Sequence, residues 1–167
     1  DPLLNRTALR IPPSGIRRFF DIAAEMEDVI SLSVGEPDFP TPWHVRDVAI
    51  DSLQKGRTGY SPNRGFTALC REICSYYSRR FGLSYDFKTD VVVTVGGSEA
   101  IDLAIRTLVN PGDEVLVPQP SFVCYDPIAR LAGAEVVPIV TRREDEFRLT
   151  AEALRSRITD RTKLLIL

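Results

Sequence analysis

Short apolar runs alternate with amphipathic helical repeats from residue 90 to residue 167, and this alternation limits the possible folds more than any other feature. The runs at residues 91–95, 114–118, 135–140 and 163–167 are rich in Val, Ile and Leu and have the length of strands. Continuous apolar character is typical of strands that are covered on both faces. Because helical segments separate consecutive runs, the pattern predicts an α/β fold built on a mainly parallel sheet.

Polar and special residues predict where several helices begin. Asp126 is predicted to cap a helix whose first residue is Pro127, because a missing N–H is tolerated in the first turn. The N-terminal half has a different texture, with a helix predicted after Ser14, a short strand at residues 29–34 and a longer helix at residues 66–81. At 167 residues the chain is long enough for one ordinary domain with a core.

Composition argues against several classes of partner. The 21 basic and 23 acidic residues give a formal net charge of -2, so the chain offers no basic field for nucleic acid or for a membrane surface. No apolar run approaches the roughly 20 residues that span a bilayer, and we therefore expect a cytoplasmic protein with small-molecule or protein partners. Cys70, Cys74 and Cys124 lack the spacing of a metal site or a disulfide framework, so we expect reduced cysteines and no bound metal.

The motif Gly96-Gly97-Ser98 follows the first apolar run and opens a helical repeat. A glycine turn at a helix N-terminus presents unpaired backbone N–H groups and the positive end of the helix dipole, which makes it a candidate anion site. The same residues also suit a tight connection in which Ser98 only caps the helix. The sequence has neither the G-x-G-x-x-G spacing of a dinucleotide site at this position nor the Gly-Lys-Ser/Thr of a P-loop.

The context of this turn resembles one known family. The segment TVGGSEAIDLAIRTLVNPGDEVLVPQPSFVCYDPIARLAGAEVVPI is similar, nearly end to end, to the core of the class I aminotransferases, which are pyridoxal-phosphate enzymes of fold type I. The earlier segments SLSVGEPDFPTP and TGYSPNRGFTALCREI resemble the N-terminal motifs of that family in order and spacing. Within that family, the motifs most resemble those of the branch that contains aspartate, aromatic and acetyl-diaminopimelate aminotransferases.

The resemblance implies a three-layer αβα fold with a mainly parallel sheet. It places an N-terminal arm and small-domain segment at residues 1–40, and the N-terminal part of the large cofactor-binding domain at residues 41–167. The family's Schiff-base lysine follows the strand that residues 163–167 resemble, so we expect that lysine beyond Leu167. No catalytic residue is therefore expected within this chain, and we expect the 167 residues alone to be an inactive N-terminal portion.

The resemblance also assigns roles in a cofactor site. Gly97, Ser98 and Glu99 match the turn that binds the 5'-phosphate of pyridoxal phosphate. Phe122 matches the aromatic residue that stacks on the pyridine ring, where a flat apolar side chain fixes the ring plane and keeps water away. The carboxylates of Glu99 and Asp102 carry the same sign of charge as the phosphate, and we expect both to point away from it.

Two further matches lie in the N-terminal half. Gly35 matches the glycine whose backbone approaches the substrate carboxylate, and on the residues alone it is also interpretable as a plain turn glycine. Tyr60 matches a tyrosine that reaches the cofactor phosphate of the neighbouring subunit, whereas the sequence alone fits a half-buried packing tyrosine equally well. The resemblance thus implies a homodimer with composite active sites.

The implied reaction is transfer of an amino group from an amino acid to a 2-oxo acid, with pyridoxal phosphate as the cofactor. A lyase or decarboxylase of the same fold is an open alternative, because such enzymes share the phosphate turn. A second alternative is a non-catalytic module that binds the cofactor or only dimerises. The presence of Gly35, Tyr60, Ser98 and Phe122 argues against a pure scaffold, which needs none of these residue types at these positions.

Overall fold

A computed structural model of the chain has a sheet of three parallel strands. β1 (Glu114–Gln119) lies in the centre, with β2 (Glu135–Val140) on one side and β3 (Thr162–Leu165) on the other. Val115 of β1 lies opposite Val136 of β2 and Leu164 of β3. The predicted α/β class and parallel sheet are confirmed.

The structure describes residues 3–13, 15–30, 35 and 37–167. These residues pack into two units: one contains the described residues up to 13 together with residues 94–167, and the other contains those from 15 to 93. The sheet belongs to the first of these units, called the sheet unit below, and the second is called the N-terminal unit. The predicted domain boundary after residue 40 concerns the complete protein and stays a prediction. Among the described residues, no helix is both long enough and apolar enough to cross a bilayer.

The helices, in chain order, are α1 (Arg6–Arg10), α2 (Ile16–Ala24), α3 (Trp43–Gln54), α4 (Thr67–Phe81), α5 (Gly96–Leu108), α6 (Tyr125–Leu131) and α7 (Ala151–Arg155). α4 agrees with the helix predicted at residues 66–81 to within one residue, with Phe66 in the N-cap position. As its glycine indicates, it is capped at its C-terminus by Gly82 in the left-handed conformation with φ 68°. α2 begins at Ile16, whereas its predicted cap, Ser14, lies outside the described residues. The predicted strand at residues 29–34 also falls largely outside them, and Val29 and Ile30 form no strand.

The core of the sheet unit is built on β1, the central strand. Val115, Leu116 and Val117 expose 2% of their surface or less. Val115 and Val117 pack in one buried cluster with Ile105 of α5 and Ala129 of α6. Full burial of each large aliphatic side chain contributes about 1.5–3 kcal/mol to the stability of the fold. Burial of β1 therefore holds in place the start of the loop that follows its carboxyl end.

Residues 91–95 are not a strand, contrary to the prediction from their apolar run. The N–H of Val93 donates to the carbonyl of Arg64 at 3.0 Å, and the carbonyl of Val91 accepts from the Arg64 guanidinium at 3.1 Å. A strand requires a ladder to a neighbouring strand, and these backbone groups are instead bonded to a loop residue. Val91 is buried as predicted, whereas Val95 is exposed.

The start of α6 also differs from the prediction. The helix begins at Tyr125, with Cys124 rather than Asp126 in the capping position. The Asp126 carboxylate instead accepts from Arg130, four residues on, at 2.5 and 3.2 Å. Such pairs one turn apart stabilise a helix, and Pro127 is tolerated because the first-turn N–H groups have no acceptor in the helix. This bond to Asp126 raises the pKa of Arg130 above its ordinary value.

Candidate functional site

The turn that opens α5 is shaped by its own backbone and by Thr94. The N–H of Gly96 donates to the Thr94 carbonyl at 3.0 Å, and the Thr94 hydroxyl donates to the Gly96 carbonyl at 2.9 Å. Gly96 has φ of 81°, a left-handed conformation in which a side chain would be strained. Within the part of the chain that the structure describes, no heavy atom lies within 4 Å of the position that a Cβ at Gly97 would take. The first glycine is thus needed for the turn, and the second leaves open space at the helix N-terminus.

Unpaired donors are present at this N-terminus. No described residue accepts a hydrogen bond from the N–H groups of Gly97 or Ser98, as expected for the first turn of a helix. The Ser98 side chain is exposed, and among the described residues its hydroxyl has no hydrogen-bond partner. Ser98 therefore does not act as the helix cap. An anion at this N-terminus could accept from two N–H groups and one hydroxyl. It would also be attracted by the helix dipole, which alone contributes about 0.3–1 kcal/mol at an exposed site.

The two acidic residues near this turn each have a partner within the protein. The Glu99 carboxylate accepts from the main-chain N–H of Val95. The Asp102 carboxylate accepts from Nε of Arg106 at 2.9 and 2.8 Å, and this bond raises the pKa of Arg106 above its ordinary value. The Arg106 guanidinium offsets the charge of Asp102. The Glu99 carboxylate, bonded to a neutral N–H, keeps its charge and lies beside the turn, contrary to the expectation that it points away.

The topology of the sheet unit places the start of α5 toward the carboxyl end of β1. The N–H of Gly112 donates to the Gly133 carbonyl at 3.0 Å, which joins the turn between α5 and β1 to the turn between α6 and β2. Both helices therefore end at the edge where the strands begin, and they start toward the opposite edge. In open α/β sheets, ligands bind at this carboxyl edge.

Phe122 lies on the loop that follows β1 at the same edge. Half of its surface, 49%, is exposed, and its ring meets Tyr125 edge to face, with 5.5 Å between the ring centroids and 79° between the planes. It lines a cavity of about 480 Å³ together with residues from the ends of β1 and β2, among them Val117, Gln119 and Thr141. Tyr125 thus supports one edge of the Phe122 ring, and part of the ring stays available for a planar ligand.

The remaining predicted site residues, Gly35 and Tyr60, belong to the N-terminal unit. Among the described residues, no heavy atom lies within 4 Å of the position that a Cβ at Gly35 would take, so none of them requires glycine there for space. In the part of the chain that the structure describes, the Tyr60 side chain is fully exposed. The structure therefore brings Gly97, Ser98, Glu99 and Phe122 into one unit and describes the other two separately.

A comparison with protein families matches residues 27–167 to the family described as aminotransferase class I and II. The match covers most of the chain and includes the α5 turn and Phe122. This chain is a class I/II aminotransferase sequence. The resemblance inferred from its motifs is therefore confirmed, and the cofactor of this family is pyridoxal phosphate.

Several relatives of this aminotransferase sequence carry names and structures. YugH of Bacillus subtilis, named as an aminotransferase, is 49% identical over 158 residues, which are 95% of this chain and 41% of YugH. Aromatic-amino-acid aminotransferase 2 of Thermococcus litoralis is 40% identical over 94% of this chain and 40% of its own length. The structure of Thermus thermophilus aspartate aminotransferase with maleate superposes with a TM-score of 0.89 at 36% identity, covering 98% of this chain and 44% of that chain. The chain thus spans about two fifths of the length of the relatives that it matches.

The described residues of this aminotransferase chain fit a phosphorylated, planar cofactor. The N–H groups of Gly97 and Ser98 are donors without acceptors, which suits a phosphate group. The half-exposed ring of Phe122, on a loop after a buried strand, suits a flat ring. The open space at Gly97 leaves room for such a phosphate among the described residues.

Two residues near these motifs have contacts that the sequence analysis does not predict. The apolar run predicts a strand that includes Thr94, yet the Thr94 hydroxyl donates to the Gly96 carbonyl and holds the turn. Arg64, in the motif GYSPNRG, donates to the backbone carbonyls of residues 89 and 91. For Thr94 the signal was available, because Thr commonly bonds to nearby backbone in turns. For Arg64 there was none, because its partners are more than 20 residues away in the sequence.

Proposed function

We propose that the complete protein is a pyridoxal-phosphate-dependent aminotransferase that transfers an amino group from an amino acid to a 2-oxo acid. The observation that carries this proposal is the unpaired donor group at the start of α5, formed by the N–H groups of Gly97 and Ser98 and the Ser98 hydroxyl. It lies in the same unit as the half-exposed ring of Phe122. Membership of the aminotransferase family supports the cofactor.

Each residue of this site has a distinct task in the proposed function. Bound pyridoxal phosphate supplies an electron sink for the bonds at the substrate's α-carbon. Gly97 and Ser98 hold the phosphate by charge-assisted hydrogen bonds, and the backbone N–H of Glu99 belongs to the same helix turn. Phe122 fixes the plane of the ring and excludes water from one face, while Tyr125 supports Phe122 from its edge.

The substrate side of the proposal rests on Gly35 and on the relatives. None of the described residues blocks the approach of a carboxylate to the backbone of Gly35. The relatives are named for aspartate and for aromatic amino acids, so their names support an amino acid and a 2-oxo acid as the substrate class.

We further propose a cytoplasmic homodimer with composite active sites, in which Tyr60 binds the cofactor phosphate of the neighbouring subunit. The full exposure of Tyr60 supports this role, because a side chain that reaches a partner does not pack on its own chain. Exposed apolar side chains on α3, including Trp43, Val48 and Leu53, are consistent with further burial in a larger assembly. In this proposal residues 1–40 are an arm and small-domain segment, and residues 41–167 are part of the large domain.

The test of the proposed function is a product analysis with the purified complete protein and pyridoxal phosphate. A panel of amino acids, aspartate and aromatic ones included, is incubated with 2-oxoglutarate, and glutamate and the new 2-oxo acid are measured. We expect both to form in equal amounts with at least one donor. Release of carbon dioxide or ammonia without glutamate would instead indicate a decarboxylase or lyase. Bound cofactor with no turnover of any amino acid would indicate a binding module.

A further inference from the structure

One arginine joins two segments of the N-terminal unit. Nη2 of Arg64 donates to the carbonyl of Thr89 at 2.5 Å and to the carbonyl of Val91 at 3.1 Å, and its Nε donates to the same Val91 carbonyl at 3.3 Å. In the reverse direction, the N–H of Val93 donates to the Arg64 carbonyl at 3.0 Å. Arg64 therefore bonds to residues 89–93 through both its side chain and its backbone.

The residue after Arg64 allows this close approach. Gly65 has φ of 96°, and a Cβ at this position would lie 2.6 Å from Cγ2 and 2.7 Å from Cβ of Val93. Its N–H donates to the Pro62 carbonyl at 2.8 Å, which closes a turn containing Arg64. A side chain at Gly65 would thus both strain the backbone and push the turn away from Val93.

The segment to which Arg64 bonds is itself held in place. The Asp90 carboxylate accepts from the N–H of Asp86 at 2.9 Å and from the Thr89 hydroxyl at 2.8 Å. The thiol of the buried Cys70, on α4, donates to the Arg64 carbonyl at 3.5 Å. Arg64 thus connects its turn to a segment with its own hydrogen bonds and to a helix.

Tyr60 lies four residues before Arg64 on the same loop, between α3 and α4. Its side chain is fully exposed, and no described residue makes a hydrogen bond or ring contact with it. Its direction therefore depends on the backbone of the loop, and the contacts from Arg64 and Gly65 to residues 89–93 hold the C-terminal end of that loop.

We propose that Arg64 is a positioning residue for Tyr60: by fixing the loop to residues 89–93, it sets where the Tyr60 hydroxyl meets the cofactor phosphate. This inference rests on the proposed function, in which Tyr60 binds that phosphate. The planar guanidinium donates to two carbonyls at once, a geometry that the single ammonium of Lys does not reproduce. A small displacement of a contact group can cost as much as its removal.

The test is a double-mutant cycle on cofactor binding in the complete protein. The dissociation constant of pyridoxal phosphate is measured for the parent, Tyr60→Phe, Arg64→Ala and the double variant, with Arg57→Ala as the control. Arg57 is an exposed arginine of the same loop, and no described residue accepts from its side chain. We expect Tyr60→Phe to weaken binding by about tenfold, as for loss of a hydrogen bond to a charged group. We expect Arg64→Ala to weaken it by about three- to tenfold and Arg57→Ala to leave it unchanged.

The coupling between the Tyr60 and Arg64 substitutions decides whether Arg64 acts through Tyr60. If Arg64 acts through Tyr60, the double variant binds within about twofold of the weaker single variant. Effects that multiply in the double variant would overturn the inference and leave the proposed function intact. So would an Arg64→Ala variant with a lower melting temperature but parental cofactor affinity. Arg64→Lys, which keeps the charge, replaces Arg64→Ala in the cycle if the alanine variant does not fold. If Tyr60→Phe has no effect, the proposed role of Tyr60 and the inference both fail.

Discussion

The main-chain N–H of Val95 donates a hydrogen bond to the carboxylate of Glu99 across the first turn of α5. This bond ties the residue before Gly96 to the helix that carries Gly97 and Ser98. Together with the bond from the Thr94 hydroxyl to the Gly96 carbonyl, it fixes the turn by the protein's own side chains. A fixed turn presents its donors to an anion without a further cost of ordering.

The hydrogen bond between Val95 and Glu99 predicts that substitutions of Glu99 lower the stability of the protein. Glu99→Ala removes an acceptor at a helix N-terminus and should lower the free energy of unfolding by about 0.5–2 kcal/mol. Glu99→Gln keeps an acceptor oxygen and loses only the attraction of the charge to the helix dipole, so its loss should be smaller, about 0.3–1 kcal/mol. Urea unfolding of the complete protein measures both. Equal losses in the two variants would show that the hydrogen bond to Val95 contributes nothing.

Ser98→Ala should weaken cofactor retention without unfolding the protein. The hydroxyl has no partner among the described residues, so its removal leaves no donor or acceptor of the protein unpaired. Loss of one charge-assisted hydrogen bond to the phosphate should weaken pyridoxal phosphate binding by about 10- to 100-fold. Retention during dialysis is the measurement, and Ser84→Ala, at an exposed serine of the N-terminal unit, is the control. Parental retention in the Ser98 variant would mean that this hydroxyl does not bind phosphate.

Phe122→Leu should change the spectrum of the bound cofactor and its turnover more than the melting temperature. Phe122 is half exposed and contacts Tyr125 by its edge, so its contribution to the core is small. Phe81→Leu is a matched control, because Phe81 is similarly exposed and lies in the other unit. A large drop in melting temperature with an unchanged cofactor spectrum would assign Phe122 to packing instead.

The sequence predicted the sheet better than it predicted what surrounds the sheet. β1, β2 and β3 lie where the apolar runs indicated, although only the central strand β1 is largely buried within this chain. For β1 the reason is plain, because side chains buried on both faces of a sheet must be apolar. The same signal failed at residues 91–95: an apolar run reports burial and does not identify the hydrogen-bond partner, which here is Arg64.

For the candidate site, the sequence predicted local motifs but not the contacts between residues far apart in the chain. The motif at Gly97 and Ser98 was visible because a glycine turn before a helix has a local sequence signature. The capping role of Asp126 was predicted wrongly, since Arg130 one turn later competes for its carboxylate. The contacts of Arg64 were not predictable, because they join residues that are 25 and 27 positions apart.

Mixed dimers test the proposed composite site. Two variants of the complete protein, Tyr60→Ala and Ser98→Ala, are assayed at a pyridoxal phosphate concentration at which each alone is largely unloaded. They are then combined under conditions of subunit exchange. If Tyr60 acts on the neighbouring subunit's cofactor, the heterodimer has one site with both lesions and one site with neither. Partial recovery of activity is therefore expected. No recovery despite exchange shown by mass spectrometry would place both residues in the same subunit's site.

Asp90 predicts a pH dependence of stability. The N–H of Asp86 and then the Thr89 hydroxyl donate to its carboxylate, and these bonds hold the pKa of Asp90 below its ordinary value of 3.8. A carboxyl group with a lower pKa in the folded state stabilises the fold fully above its unfolded pKa, and that contribution is lost as the pH falls through the folded value. The difference in unfolding free energy between the parent and Asp90→Asn should therefore be constant from pH 7 to about pH 5 and should shrink below about pH 4. Urea unfolding at these pH values measures it, with Asp47→Asn on the exposed face of α3 as the control for lost charge. A difference that stays constant down to the acid transition would show that Asp90 is not bonded more strongly in the folded state than in the unfolded chain.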